Sequence, residues 1–328
     1  MIGRNEVLIK IRSAGICGSD KNRFLGLERL HHYPIVLGHE FAGEVVEAGN
    51  AVTLVRRGDR VVGVPILPCH KCIECQQGNF AQCEKYCFVG VQVQGSYAEY
   101  IKLPESNALK LADTISYDEG ALVEPSTVAL HALELVRFRG GEDVAIIGGG
   151  TIGLLTCEWA KILGARRVFI FDLDSEMLEL SKKFGADVTL NTNDAKFYDT
   201  AMEKTSQKGF AYVFDAAGVD FTFKLAFRLA GTKSSICYVG IPNRELSYPA
   251  DVFFNLYKKE FQLTGSLMSF SAPFPGKEWD LTLKQLEAGK LKFYEGLILN
   301  RLPLRDIALA QGLFRTPGAT RGKIMLFD

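Results

Sequence analysis

Neither sign of charge is in surplus in this chain: Lys and Arg total 38, Asp and Glu total 38, and the formal net charge is zero. Such a balance offers no basic face for nucleic acid and no acidic solvating tail. A small molecule is the expected partner. Long apolar runs are missing as well. None approaches the roughly 20 residues that cross a bilayer, and the opening Met1-Ile2-Gly3-Arg4-Asn5-Glu6 has no apolar signal core. No membrane partner is expected, and the expected location is cytoplasmic. Internal repeats and low-complexity tracts are absent too. Cysteine is not scarce: eight in 328 residues, without a secretory start, argue for metal ligation or packing before disulfides. A chain this long usually needs more than one hydrophobic core, so two domains are expected.

The texture of the sequence changes along its length. Residues 6–16 (EVLIKIRSAGI) alternate apolar and polar side chains, as a half-buried strand does. Short β-rich runs follow at Ala42 to Glu47, Arg60 to Val64 and Tyr97 to Leu103, punctuated by glycine and proline. After Pro125 the pattern becomes strand–helix alternation. Strands are expected at 143–147, 167–171, 212–216 and 235–239, and helices at 152–163, 175–184 and 221–229. That rhythm predicts a parallel sheet covered on both faces. Beyond Gly265 the rhythm is lost, and periodicity does not say where the tail goes.

Gly148-Gly149-Gly150-Thr151-Ile152-Gly153 is a G-x-G-x-x-G match between an expected strand and an expected helix. Gly148 permits the tight turn, Gly150 lets backbone approach a pyrophosphate, and Gly153 lets the helix pack against the strand. The helix start, from Thr151 and Ile152, turns free N–H groups and a positive dipole end toward that anion. A bare glycine turn would be the plainer reading, but Asp172 closes the next strand. A carboxylate there accepts hydrogen bonds from a ribose diol and repels a 2′-phosphate, so NAD is the expected dinucleotide.

Cys69, Cys72, Cys75 and Cys83 form C-x2-C-x2-C-x7-C, a spacing that wraps one loop around a closed, tetrahedral structural zinc. Upstream stand Cys17-Gly18-Ser19-Asp20 and Gly38-His39-Glu40-Phe41-Ala42-Gly43. One cysteine, one histidine and one carboxylate leave a coordination position open, as a catalytic zinc requires. Singly, Cys17 reads equally well as a packed thiol and His39-Glu40 as a solvated pair at a strand start.

Taken together, the motifs carry a resemblance. G-H-E-x2-G-x5-G runs from Gly38 to Gly49. With Cys17-Gly18-Ser19-Asp20, the four-cysteine lobe, Val123-Glu124-Pro125 and GGGTIG in order, the chain resembles the zinc-containing medium-chain alcohol and polyol dehydrogenases over nearly its whole length. The resemblance implies α/β plus mostly-β architecture: a GroES-like, β-rich catalytic domain (1–124, structural-zinc lobe 69–83), a doubly wound Rossmann domain (125–265), and a C-terminal segment (266–328) returning to the catalytic domain. It implies two zinc ions per subunit and a homodimer or homotetramer, with the strand at Ser235 to Val239 available for pairing across a two-fold axis. By position, Cys17, His39 and Glu124 are similar to the protein ligands of the catalytic zinc, with Glu40 the adjacent carboxylate that ligates zinc or yields to water. Asp20 is similar to the carboxylate that orients the zinc-bound histidine, and Ser19 to the hydroxyl that bonds the substrate oxygen. Family members usually open with a further hairpin before the segment that here starts at Glu6, so a strand edge is expected to lie open in the first domain.

Glu124, in place of the cysteine of the commonest alcohol dehydrogenases, puts the resemblance in the polyol branch. His32-Tyr33-Pro34-Ile35, Leu67-Pro68-Cys69, Gly265-Ser266 and Ser271-Ala272-Pro273-Phe274-Pro275-Gly276-Lys277-Glu278-Trp279 narrow it toward sugar alcohol phosphates, galactitol 1-phosphate passing to tagatose 6-phosphate. Arg23 supplies a chemical reason for phosphate, since a guanidinium pairs well with that group, although a solvated arginine reads as well. The alternatives are an unphosphorylated sorbitol or xylitol dehydrogenase and a catalytically silent NAD-binding structural or sensing protein.

Overall fold

The computed structural model describes residues 2–26, 33–242, 244–316 and 321–328; His32 lies outside them. The chain divides into two compact units. The first comprises Met1–Thr127 and Ser269–Asp328, the second Val128–Met268.

The second unit is the doubly wound one. Its sheet runs Val188–Asn191, Arg167–Asp172, Asp143–Ile147, Phe210–Asp215, Ala230–Tyr238 and Gln262–Gly265 in spatial order, and every described pairing is parallel. Asp143–Ile147 (DVAII) is buried along its whole length, as a central parallel strand with helices on both faces must be. The order reverses between Asp143–Ile147 and Phe210–Asp215, the switch point where such sheets bind nucleotides. One expectation is corrected here. The strand Ala230–Tyr238, which covers all of the expected Ser235 to Val239 but its last residue, is flanked by Phe210–Asp215 and Gln262–Gly265, so its hydrogen-bonding groups are already used. The sheet's edges are Val188–Asn191 and, on this side, Gln262–Gly265, a short strand with little apolar pattern to mark it.

The first unit is built on the strand Glu6–Ile16. Its apolar residues alternate into the core, with Val7, Ile9 and Ile11 buried. It pairs antiparallel with Glu40–Ala48, Tyr100–Pro104 and Lys323–Phe327, the last of which also binds Ile298–Pro303. The tail after Ser269 thus belongs to the first unit, which periodicity could not tell. Nor does Glu6–Ile16 present an open edge. Expected β structure at Tyr97 begins only at Tyr100, because Tyr97 turns its side chain into the core instead.

No described helix is long and apolar enough to cross a membrane. The second unit contains a pairing whose effect on stability is readable. Asp143, at the start of its strand, accepts hydrogen bonds from Arg167 Nη2 at 2.5 Å and Arg166 Nε at 2.9 Å. Burial pushes its carboxyl up, but the two guanidinium groups outweigh this and hold it below its ordinary value of 3.8. A depressed folded pKa adds stability above the unfolded value, and that stability is lost as pH falls through the folded one. Asp143→Asn should therefore lower stability by about 1–2 kcal/mol at neutral pH. In unfolding curves the gap to wild type should hold from about pH 7 to 5 and narrow below about pH 4; an undiminished gap at pH 3.5 would contradict the assignment.

Candidate active site

Strand register brings the first site together. Gly15 stands opposite Glu40, and Ile16 opposite Ile324. Cys17 directly follows the first strand, His39 directly precedes the second, and Lys323 opens the last. These residues, far apart in sequence, therefore share one end of one sheet. Among the described residues, Cys17, His39 and Glu40 each present one donor atom, and the three atoms lie within 4.8 Å of one another.

Glu124 is not in that group. It sits in the first turn of the helix Val123–Leu135, 7% exposed. Burial pushes its carboxyl up to about 7; the charge of His39 opposes this and that of Glu40 adds to it. Glu124 is thus close enough to feel the trio without converging on it. Glu40, read from sequence as the optional donor, is the carboxylate that converges.

The surroundings are polar and closed. Cys17 leads into the helix Gly18–Phe24 with extended backbone, and Ser19 Oγ donates to its sulfur at 3.2 Å. Burial pushes the Cys17 thiol up, and the Glu40 carboxylate adds to this while Lys323 opposes it. Asp20 is wholly buried; it accepts from Tyr97 Oη at 2.7 Å and from Arg23 Nη1 at 3.3 Å. His39 packs edge-on against Phe88, ring centroids 5.4 Å apart. Its Nδ1 lies 3.8 Å from Asp20 Oδ2 and has no hydrogen-bond partner. Sulfur, imidazole and carboxylate on converging atoms are zinc's usual donors, so the residues present fit that ion.

Two contributors escaped the sequence reading. Lys323 Nζ donates to both Glu40 oxygens, at 2.8 and 2.7 Å, with both side chains buried. Tyr97 holds Asp20 in place. Each lies far in sequence from what it touches and belongs to no recognisable spacing.

The four cysteines form a second donor set, again within 4.8 Å of one another. The contacts Cys72–Cys83 and Cys69–Cys75 measure 3.8 and 4.0 Å between sulfurs. A tetrahedron with zinc–sulfur bonds near 2.3 Å has edges of about 3.8 Å, whereas a disulfide needs about 2.05 Å. The loop is shaped for a metal. Backbone N–H groups of Lys71 and Cys72 draw the Cys69 thiol down to about 6, while burial pushes Cys75 up to about 12. Cys87, Cys157 and Cys237 join neither described metal-ligand group.

In the second unit, Gly148 takes φ of +99° after Ile147, and the helix Thr151–Ile162 starts behind Gly150. A Cβ on Gly153 would meet the Gly148 carbonyl oxygen at 1.8 Å, so only glycine fits there. Asp172 Oδ2 accepts from Gly149 N at 2.5 Å and Oδ1 from Asp174 N at 2.8 Å. The carboxylate is thereby fixed beside the glycine turn.

Known proteins resemble this chain in sequence and fold. Residues 3–113 match the alcohol dehydrogenase GroES-like domain and residues 151–284 the zinc-binding dehydrogenase domain. The galactitol 1-phosphate 5-dehydrogenase of Escherichia coli K12 is 37% identical over 324 residues, covering 98% of this chain and 92% of the relative. The crystal structure of galactitol-1-phosphate dehydrogenase from Escherichia coli superposes with a TM-score of 0.94 at 36% identity, over 100% of this chain and 94% of that one. A zinc-binding dehydrogenase from Sinorhizobium meliloti, bound to NADP, gives 0.89 at 28% identity, over 100% and 93%. Two donor sets that fit zinc, a glycine turn at the switch point of a parallel sheet, and likeness along nearly the whole sequence lead to one conclusion: the chain belongs to the zinc-containing medium-chain alcohol and polyol dehydrogenases, and is an oxidoreductase of that family.

Proposed function

We propose that this enzyme oxidises a secondary hydroxyl of a sugar alcohol phosphate, of which galactitol 1-phosphate is the type, with NAD as hydride acceptor. The observation that carries the reading is the convergence of Cys17, His39 and Glu40 in a chain similar over 98% of its length to a galactitol 1-phosphate 5-dehydrogenase. Bound here, zinc supplies Lewis acidity to a substrate hydroxyl, and a nicotinamide dinucleotide supplies the hydride acceptor. The alcohol loses a proton from oxygen and a hydride from carbon, and becomes a ketone.

The chain's own residues hold and orient. We assign Cys17 and His39 as metal ligands, with a carboxylate from Glu124 or Glu40 beside them. Ser19, in the first helical turn after Cys17, presents the hydroxyl that bonds the substrate oxygen and passes its proton outward. Its present bond to the Cys17 sulfur keeps that hydroxyl beside the donor trio. Asp20, itself held by Tyr97, faces His39 and fixes the ring's orientation, as carboxylates behind metal-bound histidines do. The second unit anchors the dinucleotide: Gly148, Gly150 and Gly153 leave room for a pyrophosphate over the start of the helix Thr151–Ile162, and Asp172 receives the ribose diol. A fixed carboxylate there favours NAD over the NADP seen in the Sinorhizobium structure.

A second reading has an observation of its own. The Arg23 side chain is 13% exposed and already bonded to Asp20. A guanidinium so engaged is less available to a phosphate and favours an unphosphorylated polyol.

A panel of hexitols and hexitol 1-phosphates, read by NADH absorbance, decides between the two. The phosphorylated series should give the higher kcat/KM by at least tenfold, roughly 1.4 kcal/mol of discrimination. Equal values across the pairs would leave the unphosphorylated reading standing. Cys17→Ser should abolish most turnover while leaving the KD for NADH within about twofold, because the dinucleotide anchor lies in the other unit; near-normal kcat in a preparation with verified zinc content would remove Cys17 from the ligand set. Asp172→Ala should raise the KM for NAD about tenfold or more and narrow the preference over NADP. An unchanged ratio between the two dinucleotides would refute its role.

A further inference from the structure

Two buried hydroxyls take no part in the chemistry above. Thr127 and Ser269 are both wholly shielded from solvent, and their oxygens lie 2.6 Å apart across 142 residues of sequence. Thr127 Oγ1 also lies 2.7 Å from the Glu124 carbonyl oxygen, which has no proton to give, so Thr127 donates there. With its single proton engaged, it accepts from Ser269. Trp279 Nε1 in turn donates to the Ser269 carbonyl at 3.0 Å, and the indole is fully buried as well. A chain of three hydrogen bonds thus runs from Trp279 to the backbone of Glu124.

The place of these residues in the sequence gives the bonds a purpose. Thr127 is the last residue of the first unit before the chain passes into the second, and Ser269 is the residue at which it returns. The helix Val123–Leu135 therefore begins in one unit and continues in the other. Glu124 stands in its first turn, and everything from Val128 onward belongs to the second unit. Cys17, His39 and Glu40 all belong to the first. A carboxylate on the leading turn of such a helix keeps its place beside the trio to the extent that the turn is fixed to the first unit. Ser269 supplies that fixing. Its neighbour Phe270 packs on Phe88, ring centroids 6.4 Å apart, and Phe88 packs on His39. Of two consecutive residues, one leads to the turn that carries Glu124 and the other to the imidazole.

We infer that Ser269 and Thr127 are positioning residues: their hydroxyl pair pins the first turn of the helix, so that the Glu124 carboxylate is presented to the metal held by Cys17 and His39. The inference rests on the metal-site reading above and adds what sets the place of Glu124 within it. Neither hydroxyl touches metal or substrate in this role. Without the bond from Ser269, Thr127 Oγ1 becomes a buried acceptor with no donor, and the turn loses its anchor. Groups that orient a metal ligand typically contribute about ten- to a hundredfold to metal affinity.

Metal affinity at this one site reads the effect. Enzyme that keeps zinc at the four cysteines is titrated with cobalt(II), whose visible ligand-field bands report occupancy, and a competing chelator gives the dissociation constant. Ser269→Ala should weaken cobalt binding about tenfold, and so should the isosteric Thr127→Val, which carries the test if Ser269→Ala does not fold. Thr127→Ser keeps the hydroxyl and should keep wild-type affinity. Glu124→Gln should weaken binding too, and adding Ser269→Ala to it should cost less than about a further twofold, since no carboxylate is left to place. A merely structural role would not produce that coupling. Equal losses with and without the Glu124 carboxylate would overturn the inference, as would wild-type affinity in both Ser269→Ala and Thr127→Val. Wild-type affinity in Glu124→Gln would instead refute the place of Glu124 at the metal, on which the inference stands.

Discussion

Strand register in the first unit is the constraint on which the rest depends. Glu6–Ile16 is paired along both sides, and its last residues are matched to Glu40 and Ile324. Because side chains alternate with a period of two, a slip of one residue would turn the whole set to the opposite face. The burial of Val7, Ile9 and Ile11 against that slip is therefore what holds Cys17 beside His39. The candidate site is aligned by apolar side chains that contribute no donor atom to it. Bulges between Leu8 and Ile9 and between Ile11 and Ser13 adjust the pairing along the way.

What the sequence displays and what it hides divide along the length scale of the interactions. The glycine turn, Asp172 and the four cysteines are local: each constellation closes within one loop or one βαβ unit, and spacing alone exposes it. The parallel sheet is legible for the same reason, as its units are consecutive. Glu40–Lys323 spans 283 residues, and nothing in KIMLF distinguishes a lysine beneath the protein surface from one at a solvated strand end. Tyr97 is equally silent, an aromatic in a β-rich stretch until its partner Asp20 is seen. An apolar strand such as the one at Ser235 marks the interior of the parallel sheet; its edges, Val188–Asn191 and Gln262–Gly265, are short. Arg23, which the sequence offers equally to phosphate or to solvent, is engaged by a carboxylate three residues earlier.

The two metal-binding candidates differ in how the protein supports them. The four-cysteine lobe is braced by rings, with His70 and Phe80 both against Phe274 at 5.8 and 5.4 Å between centroids. The distinctive Ser271 to Trp279 segment thereby has a structural use, whatever it contributes to specificity. It also reaches the other candidate: Trp279 stacks on Phe270, Phe270 meets Phe88, and Phe88 meets His39. Phe88 thus packs against the imidazole ring whose Nδ1 faces Asp20.

The pairing of Glu6–Ile16 with Lys323–Phe327 also has a consequence in time. During translation the early residues of the first unit leave the ribosome long before the strand that completes their sheet. The whole of 128–268 is synthesised in between, a delay of about ten seconds or more at ordinary elongation rates. The second unit, assembled from consecutive segments, can fold during that wait. The corner that holds Cys17, His39 and Glu40 cannot, because the lysine that faces Glu40 has not yet been made. Newborn chains thus pass through an interval in which one half is complete and the other offers an unfinished sheet, the stage at which a holding chaperone would have most to protect.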